Sequence, residues 1–313
     1  MTHAVVLDGA AVEAAVTPAR AVEAVREAFV AYARGEWSMP PKVYVTNYPA
    51  GDFRAMPALG GGAALLKWIT SFPGNPTKGL PTVTGVVLVS DASNGQLRAV
   101  LDAASVTALR TGAAAVLAAE TLGRADAGTA SVIGAGVNGA AAARTFLARG
   151  RPVSLWDLDA DRAASVAAGL GAEVAPSLAD ALGADLLVTV TPGHAVLLEE
   201  GTLRPGQHVS LMGADGPGKA EAAGAELARA RLFCDDWGQA SHGGELAHAV
   251  EDGLIGEDDV TAIGDVLAGI APGRTRDDEI TMFDSTGLAI QDLAIALAAL
   301  EAADLDALPV LEL

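Results

Sequence analysis

The sequence predicts an α/β protein in two parts: a doubly wound parallel sheet, and an α+β part with a sheet of its own. From Ala127 to Asp235, short apolar runs alternate with helical patterns, which is typical of βαβ units and a parallel sheet. From Met39 to Leu101, short β-rich runs are separated by Pro/Gly turns, which indicates antiparallel or mixed pairing. We expect one domain over residues 1–112 with 288–313, and a second over 113–287.

The α+β part begins with a helical pattern. Val22, Val25 and Phe29 recur at helical spacing and Gly35 follows as a stop signal, so we expect one long amphipathic helix within residues 1–38. The patterns then predict strands at Val43–Thr46, Ala64–Ser71, Thr82–Ser90 and Gln96–Asp102, and an Ala-rich helix over 103–123.

The parallel part begins with a strand at Thr129–Ile133, followed by a glycine-rich turn and an Ala-rich helix that extends to Arg149. Further strands are expected at Pro152–Trp156, Glu173–Ala175, Asp185–Val190, Gln207–Met212 and Arg231–Asp235, with helices over 160–170, 177–183 and from about Lys219. A long helix over Ser285–Asp304 is expected to leave this domain.

Composition excludes several classes of function. The chain has 39 Asp+Glu against 20 Lys+Arg, a formal net charge of −19, which argues against binding nucleic acid or an anionic membrane. The single cysteine, Cys234, excludes an intramolecular disulfide and a multi-thiolate metal site. The N-terminal residues lack the features of a signal peptide, and no apolar run is long enough to span a membrane. We expect a soluble, cytoplasmic protein without a metal.

The strongest motif is the glycine-rich turn Gly134-Ala-Gly136-Val137-Asn138-Gly139, a complete G-x-G-x-x-G. It follows an apolar strand and begins a helix, which is the setting of a Rossmann dinucleotide site. Gly134 permits the tight turn, Gly136 lets the backbone approach a pyrophosphate, and Gly139 lets helix and strand pack closely. The alternative is a glycine-rich turn with no ligand.

Asp157 ends the next predicted strand, where a carboxylate accepts hydrogen bonds from the adenosine ribose. A 2′-phosphate there would meet like charge from Asp157 and Asp159, and Leu158 is not the Arg that would neutralise it. The motif therefore predicts NAD (NADH) over NADP(H). The alternative is that Asp157 only caps a helix near Asp159–Ala160.

Four segments around the glycine motif, in order, resemble the ornithine cyclodeaminase/μ-crystallin family: Lys67 with Phe72-Pro-Gly-Asn-Pro76, Leu109-Arg110-Thr111-Gly-Ala-Ala-Ala, Gly213-Ala-Asp215-Gly-Pro-Gly-Lys219 and Ile280-Thr-Met-Phe-Asp-Ser-Thr-Gly287. The family contains ornithine and lysine cyclodeaminases, archaeal-type alanine dehydrogenases and ketimine reductases. The resemblance implies a homodimer formed by the first domain, which also binds substrate, an NAD-binding Rossmann domain, and an active site between them.

The family's substrates are amino or imino acids, so fixed cations must hold a carboxylate. Arg54, Lys67 and Arg110 are the candidates, and by resemblance Lys67 and Arg110 match the family's carboxylate ligands. The alternatives are a strand lysine that extends to solvent and a surface cation on a helix. Lys42 stands where the cyclodeaminases carry Arg, which leaves its role in substrate binding in doubt.

By resemblance, Asp215 is the catalytic carboxylate beside the nicotinamide, where it would exchange a proton with the substrate, assisted by Lys67; the alternative is a turn residue. Three further segments are candidate cofactor contacts. The run Ser285-Thr286-Gly287 either contacts the nicotinamide side or caps the last helix, Thr111 is expected near phosphate, and Thr191 should line the cofactor groove.

The residue two before Met56-Pro57 favours one reaction. Ornithine-specific members carry a carboxylate there, whereas the alanine dehydrogenase branch carries Arg, as Arg54 does here. Arg54 would repel an ornithine side-chain ammonium by ~4 kcal/mol at ~4 Å and an effective dielectric of about 20, and would instead add a third anchor to a carboxylate. We therefore predict an NAD-dependent amino-acid dehydrogenase or imine reductase acting on a small substrate, with ornithine cyclodeaminase as the alternative. A non-catalytic nucleotide-binding protein is disfavoured because Lys67, Arg110 and Asp215 are retained.

Overall fold

The computed structural model describes residues 3–193, 195–214, 216 and 218–312. The chain divides into two compact units: unit 1, which is Met1–Arg110 with Leu288–Leu313, and unit 2, which is Thr111–Gly287. Among the described residues, no helix has both the length and the apolar character needed to cross a membrane.

Unit 1 contains most of the first third of the chain. Its elements there are β1 (His3–Leu7), α1 (Gly9–Ala15), α2 (Pro18–Ala33), β2 (Val43–Asn47), β3 (Gly51–Gly60), β4 (Ala63–Ser71), β5 (Val83–Asp91) and β6 (Leu97–Asp102), and α3 (Ala103–Leu122) is shared with unit 2.

Unit 2 then alternates strands and helices. Its elements are β7 (Ala130–Ile133), α4 (Val137–Ala148), β8 (Ser154–Trp156), α5 (Ala160–Leu170), β9 (Glu173–Val174), α6 (Leu178–Leu182), β10 (Leu186–Thr189), β11 (His208–Leu211), α7 (Gly224–Leu227), β12 (Arg231–Cys234), α8 (Trp237–Gly243), α9 (Ala247–Glu251), β13 (Val260–Ala262), α10 (Ile263–Leu267) and β14 (Thr281–Asp284). The chain returns to unit 1 with α11 (Ala289–Ala302) and β15 (Val310–Glu312).

The sheet of unit 1 has seven strands in the order β15-β1-β6-β5-β4-β3-β2. Strands β1 and β6 are parallel, and the other neighbouring strands are antiparallel, so the sheet is mixed, one of the two arrangements predicted. Helix α11 packs on β3, β4 and β5 and against α2. The strand residues that point toward α11 therefore form the inner face of this sheet, and alternate residues form the outer face.

The prediction of one long helix within residues 1–38 is wrong. The structure has a strand, β1, and two helices that are separated at Val16–Thr17. The Thr17 hydroxyl accepts a hydrogen bond from the Arg20 amide and Pro18 occupies the first turn of α2, so this pair begins a new helix. Strand β3 has no counterpart in the prediction.

The sheet of unit 2 has eight strands, all parallel, in the order β13-β12-β14-β11-β10-β7-β8-β9. The strand order reverses between β7 and β10, and in the described part of the chain a helix lies between consecutive strands, except between β10 and β11. This confirms the predicted doubly wound, Rossmann-type sheet. In such sheets ligands bind at the carboxyl ends of the strands beside the reversal, which here are the ends of β7 and β10.

The helix predicted from about Lys219 is also wrong, because α7 has only four residues and begins at Gly224. Before it, Ala223 is extended and Ala222 is bridged to Leu198. The Glu221 carbonyl accepts hydrogen bonds from the amides of Leu197 and Leu198, so tertiary contacts use a backbone group that a helix would require. Strands β13 and β14 and helices α8–α10 were not predicted.

Candidate functional site

The glycine-rich turn has the backbone geometry that its sequence predicts. Gly134 has a φ of +107°, in the region that favours glycine, and its amide donates to the Trp156 carbonyl. A Cβ on Gly139 would lie only 1.7 Å from the Gly134 carbonyl oxygen, so α4 can pack this closely on the turn only with glycine at that position. Both glycines are thus required by the local fold.

The N-terminus of α4 is open. Its N-cap residue, Gly136, has no side chain to accept hydrogen bonds from the first-turn amides, and a Cβ there would meet no atom of the described residues within 4 Å. Val137, an apolar residue, is 74% exposed, and Asn138 is half-buried. Free amides at an accessible helix N-terminus fit a pyrophosphate, as the cofactor prediction requires.

Asp157 follows β8 and lies beside this turn. Its Oδ2 accepts from the Ala135 amide at 2.6 Å and its Oδ1 from the Asp159 amide at 2.8 Å. Burial acts to raise the pKa of Asp157, but hydrogen bonds, the largest from Arg162, lower it below the ordinary value. Asp159, not Asp157, caps α5, by accepting from the Arg162 amide.

The Arg162 guanidinium forms a fork on Asp157, with Nη2 2.6 Å from Oδ1 and Nε 3.1 Å from Oδ2. Sequence reasoning considered only Leu158 as the place for a neutralising Arg. A ribose hydroxyl that binds Asp157 must share these oxygens with Arg162 or displace it. The half-exposed Arg162 side chain has room to move.

Thr191 follows β10, at the reversal of strand order, and its amide donates to Glu221 Oε1 at 2.7 Å. Thr111 is buried, and its hydroxyl has no hydrogen-bond partner among the described residues. At the next residue, a Cβ on Gly112 would lie 2.7 Å from the Ala141 carbonyl, so α3 packs tightly on the glycine-turn helix. An unsatisfied buried hydroxyl near that helix suits a phosphate contact.

The run Ser285-Thr286-Gly287 is held by Asp235, which follows β12. The Ser285 hydroxyl, the Thr286 hydroxyl and the Gly287 amide donate to its carboxylate at 3.3, 3.1 and 2.8 Å. The two hydroxyls do not cap the last helix, because α11 begins at Ala289 and its N-cap residue is Leu288. The predicted catalytic Asp215 lies outside the described residues.

In unit 1, the predicted carboxylate ligands Lys67 and Arg110 converge on Asp292, a residue of α11 that sequence reasoning missed. Lys67 Nζ lies 2.7 Å from Asp292 Oδ2, and Arg110 Nε lies 3.5 Å from Oδ1. The side chains of Lys67 and Asp292 are 1% and 0% exposed, and that of Arg110 is 12% exposed. Lys67 also donates to the Thr107 hydroxyl at 3.4 Å.

This group carries two cations and one anion, so with all three charged it has a net positive charge in a buried setting. Burial lowers the pKa of Lys67 to about 8, against the attraction of Asp292 and with the help of repulsion from Arg110 and Lys42. Arg110 Nε is buried without a hydrogen bond to the described residues. One more anion would balance the charge, and a carboxylate can supply it.

Arg54 lies on the same inner face of the sheet as Lys67, because Met56 pairs with Lys67 in the β3–β4 register. It is held by Asp52, with Nε 2.7 Å from Oδ1 and Nη2 3.3 Å from Oδ2, and packs over the Tyr44 ring. The Arg54–Asp52 pair is therefore close to neutral. Lys42 is half-buried and lies near enough to act on the Lys67 charge.

The structure thus brings the predicted residues together in two groups. Within unit 2, the glycine turn, Asp157 and Thr191 lie at the carboxyl ends of β7, β8 and β10, and in unit 1 Lys67 and Arg110 meet around Asp292. In the parts of the chain that the structure describes, no group of three His, Cys, Asp or Glu side chains is arranged to hold a metal ion. Asp292, Asp52 and Arg162 are additions to the predicted set.

Comparison with known proteins agrees with this arrangement. The ornithine cyclodeaminase/mu-crystallin family matches residues 2–304. The alanine dehydrogenase of Archaeoglobus fulgidus is 43% identical over 294 residues, which cover 91% of this chain and 90% of that protein.

Solved structures show the same similarity. An archaeal alanine dehydrogenase dimer with bound NAD superposes with a TM-score of 0.93 at 39% identity, covering 99% of each chain. The iminosuccinate reductase of Paracoccus denitrificans in complex with NAD+ superposes with a TM-score of 0.91 at 31% identity. The superposition covers 99% of this chain and 100% of the reductase chain.

Proposed function

The chain belongs to the ornithine cyclodeaminase/mu-crystallin family, and from that premise we propose that it is an NAD-dependent oxidoreductase that acts on the carbon–nitrogen bond of a small amino or imino acid. The observation that carries the proposal is the buried group of Lys67, Arg110 and Asp292, whose excess positive charge suits one substrate carboxylate. Similarity to an alanine dehydrogenase and an imine reductase supports the same reaction class.

NAD fits unit 2 on the geometry of its own residues. The amides of Gly136, Val137 and Asn138 would receive the pyrophosphate, Gly134 and Gly139 shape the turn, and the Thr111 hydroxyl would be a further phosphate ligand. Asp157 would accept from the ribose hydroxyls. Thr191 and the run Ser285-Thr286-Gly287 would line the nicotinamide side.

When bound, NAD would supply hydride transfer at the substrate carbon that bears the nitrogen, in the direction of the amino or of the imino acid. Lys67 and Arg110 would fix the substrate carboxylate and so orient the reacting carbon. Asp215 would exchange a proton with the substrate nitrogen or with the water that attacks the imine, a role that rests on sequence and resemblance.

Ornithine cyclodeaminase remains a second candidate because of one observation. The Asp52 carboxylate is buried beside Arg54 on the inner face, so the charge that was expected to repel a second ammonium is largely compensated. An acid near this position is also what the ornithine-specific members carry. Arg54 and Lys42 stay proposed substrate contacts for either reaction.

An activity panel tests the proposal. Oxidation of NADH would be followed with pyruvate plus ammonia and, separately, with pyrroline-2-carboxylate, while proline formation is measured from ornithine. We expect turnover in one of the first two reactions and a large loss in Lys67→Met, which removes the charge but keeps most of the side-chain volume. Proline formation without net consumption of NADH would instead favour the cyclodeaminase.

A homodimer is part of this proposal. The outer face of the unit 1 sheet exposes a row of apolar side chains on neighbouring strands: Val43, Val45, Leu66, Trp68 and Val86. A contiguous apolar patch of this kind marks an interface. Trp68→Lys should shift the mass measured by analytical ultracentrifugation from dimer to monomer, and an unchanged dimer would exclude this face.

A further inference from the structure

A network of buried carboxylates lies at the carboxyl end of the parallel sheet in unit 2. Its members are Glu221, Glu245, Asp235 and Asp284, all essentially inaccessible to solvent. The proposed function assigns roles to Asp157 and Asp215 but none to these four carboxylates. Hydride transfer itself does not require them. Their hydrogen bonds show what they do.

Glu221 fastens the ends of two neighbouring strands. Its Oε2 accepts from the Thr189 hydroxyl at 2.7 Å and from the Gly213 amide at 3.0 Å, and its Oε1 accepts from the Thr191 amide at 2.7 Å. Thr189 ends β10, and Gly213 lies just beyond β11. One side chain thus sets the position of both segments where they leave the sheet.

The packing around Glu221 leaves little freedom. A Cβ on Gly213 would lie 2.5 Å from Glu221 Cδ and 2.6 Å from the Thr191 carbonyl oxygen, so only glycine permits this approach. Glu221 is itself held, because Glu245 Oε1 accepts from the amides of Glu221 and Ala222, each at 2.7 Å. Three donors on a buried carboxylate form a rigid support.

Both segments that Glu221 holds bear residues of the proposed site. Thr191 is a proposed cofactor contact, and Gly213 lies two residues before the proposed catalytic Asp215 in the sequence. Asp235 makes an analogous set of contacts with Ser285, Thr286 and Gly287. The proposed nicotinamide-side contacts are therefore fastened by buried acids rather than by the sheet alone.

We propose that Glu221 is a positioning residue for the oxidoreductase reaction: it fixes Thr191 and Gly213, so that the cofactor contact at Thr191 is correctly oriented. This inference rests on the proposed function. Glu221 touches neither substrate nor cofactor in this assignment, and its removal changes the geometry of groups that do.

The chain provides a matched control in Glu226. This glutamate is also fully buried in unit 2 and also accepts from two backbone amides, Gly201 at 2.7 Å and Leu203 at 2.8 Å, and in addition it is ion-paired with Arg229. Neither Gly201 nor Leu203 adjoins a proposed site residue. Loss of either carboxylate should therefore lower stability, and loss of Glu221 alone should affect the cofactor.

The experiment compares Glu221→Gln with Glu226→Gln in the full chain. The melting temperature, the NADH dissociation constant from fluorescence titration, and kcat and KM are measured for each. We expect similar losses of melting temperature, an NADH dissociation constant raised roughly tenfold with a lower kcat in Glu221→Gln, and values within about twofold of the unmodified chain in Glu226→Gln. Equal NADH affinity in the two variants would overturn the inference.

Two further results keep the outcomes distinct. If Glu221→Gln does not fold, Thr189→Val removes one of the three donors with little change of shape; a severalfold weaker NADH affinity supports the inference, and an unchanged affinity overturns it. If the unmodified chain fails to bind NADH, the proposed function itself fails and this inference with it. If the unmodified chain binds NADH and Glu221→Gln binds it equally well, only the role of Glu221 is rejected and the proposed function stands.

Discussion

Replacing Asp292 with Asn removes the anion between Lys67 and Arg110 while keeping the side-chain volume. Asp292 lies 2.7 Å from Lys67 Nζ and acts to raise the pKa of Lys67, which burial lowers to about 8. An opposite charge this close is worth about 1–3 pH units. In Asp292→Asn we therefore expect Lys67 to titrate at roughly pH 5–7, so that at pH 7 half or more of the Lys67 side chains are neutral.

The assay is kcat/KM for pyruvate as a function of pH, at saturating NADH and a fixed concentration of free ammonia. A neutral amine does not pair with a carboxylate, so activity should fall as pH rises through the pKa of Lys67. In the unmodified chain this decline is expected near pH 8. In Asp292→Asn it should begin about 1–3 units lower, with kcat/KM reduced roughly tenfold at pH 7 and less at lower pH.

Two variants serve as controls. Asp292→Glu keeps the negative charge, so its decline should stay near that of the unmodified chain. Lys67→Arg keeps a cation that does not titrate below about pH 12, so the decline near pH 8 should disappear. If kcat/KM of Asp292→Asn still declines near pH 8, the decline cannot be assigned to a Lys67 whose pKa is raised by Asp292. If Asp292→Asn does not fold, the Lys67→Arg profile decides.

Three further predictions concern other contacts. Lys67 has a pKa of about 8 in the folded state against 10.5 in the unfolded state, so between these pH values the unfolded state binds more protons. The free energy of unfolding measured in urea should therefore increase as the pH rises through this range, by about 3 kcal/mol relative to Lys67→Met. Parallel plots of this free energy against pH for the two proteins would contradict the prediction. Gly139→Ala places a Cβ 1.7 Å from the Gly134 oxygen and should lower the melting temperature by about 5 °C or more. The Cβ of Gly136→Ala meets open space, so this variant should keep its melting temperature but bind NADH at least severalfold more weakly. If the two variants have the same melting temperature and the same NADH affinity, the turn geometry is contradicted. Arg162→Ala exposes the bare charge of Asp157, so the KM for NADPH should rise severalfold relative to that for NADH, and a constant ratio would exclude Arg162 from cofactor selection.

The sequence was most informative where function depends on local backbone chemistry. The glycine turn could be predicted because each glycine answers a steric requirement within one strand–turn–helix segment, and the structure shows that requirement at Gly134 and Gly139. The parallel strands could be predicted because buried strands have continuous apolar runs. Lys67 stood out as a charge within an apolar strand of the other sheet, and it is indeed buried and ion-paired.

Contacts between distant segments could not be predicted in the same way. Asp292 pairs with residues of β4 and α3, and nothing near it in the sequence specifies those partners, although a lone acid within the apolar run of α11 was a usable signal. The Ala-rich stretch after Lys219 has high helix propensity, but the Glu221 carbonyl accepts from the amides of Leu197 and Leu198 and its amide donates to Glu245, so its backbone groups are not available to a helix. The Thr17-Pro18 pair was a local signal for a new helix that the apolar periodicity obscured.

The discontinuity of unit 1 affects how the protein is made. Lys67 and Arg110 leave the ribosome long before α11, because all of unit 2 lies between them and Asp292 in the sequence. Until α11 is synthesised and docks, two cations have no shared counter-ion, and burying them is strongly unfavourable. A nascent or truncated chain that lacks α11 therefore should not close the interior of unit 1, and it would expose apolar surface that chaperones and proteases recognise.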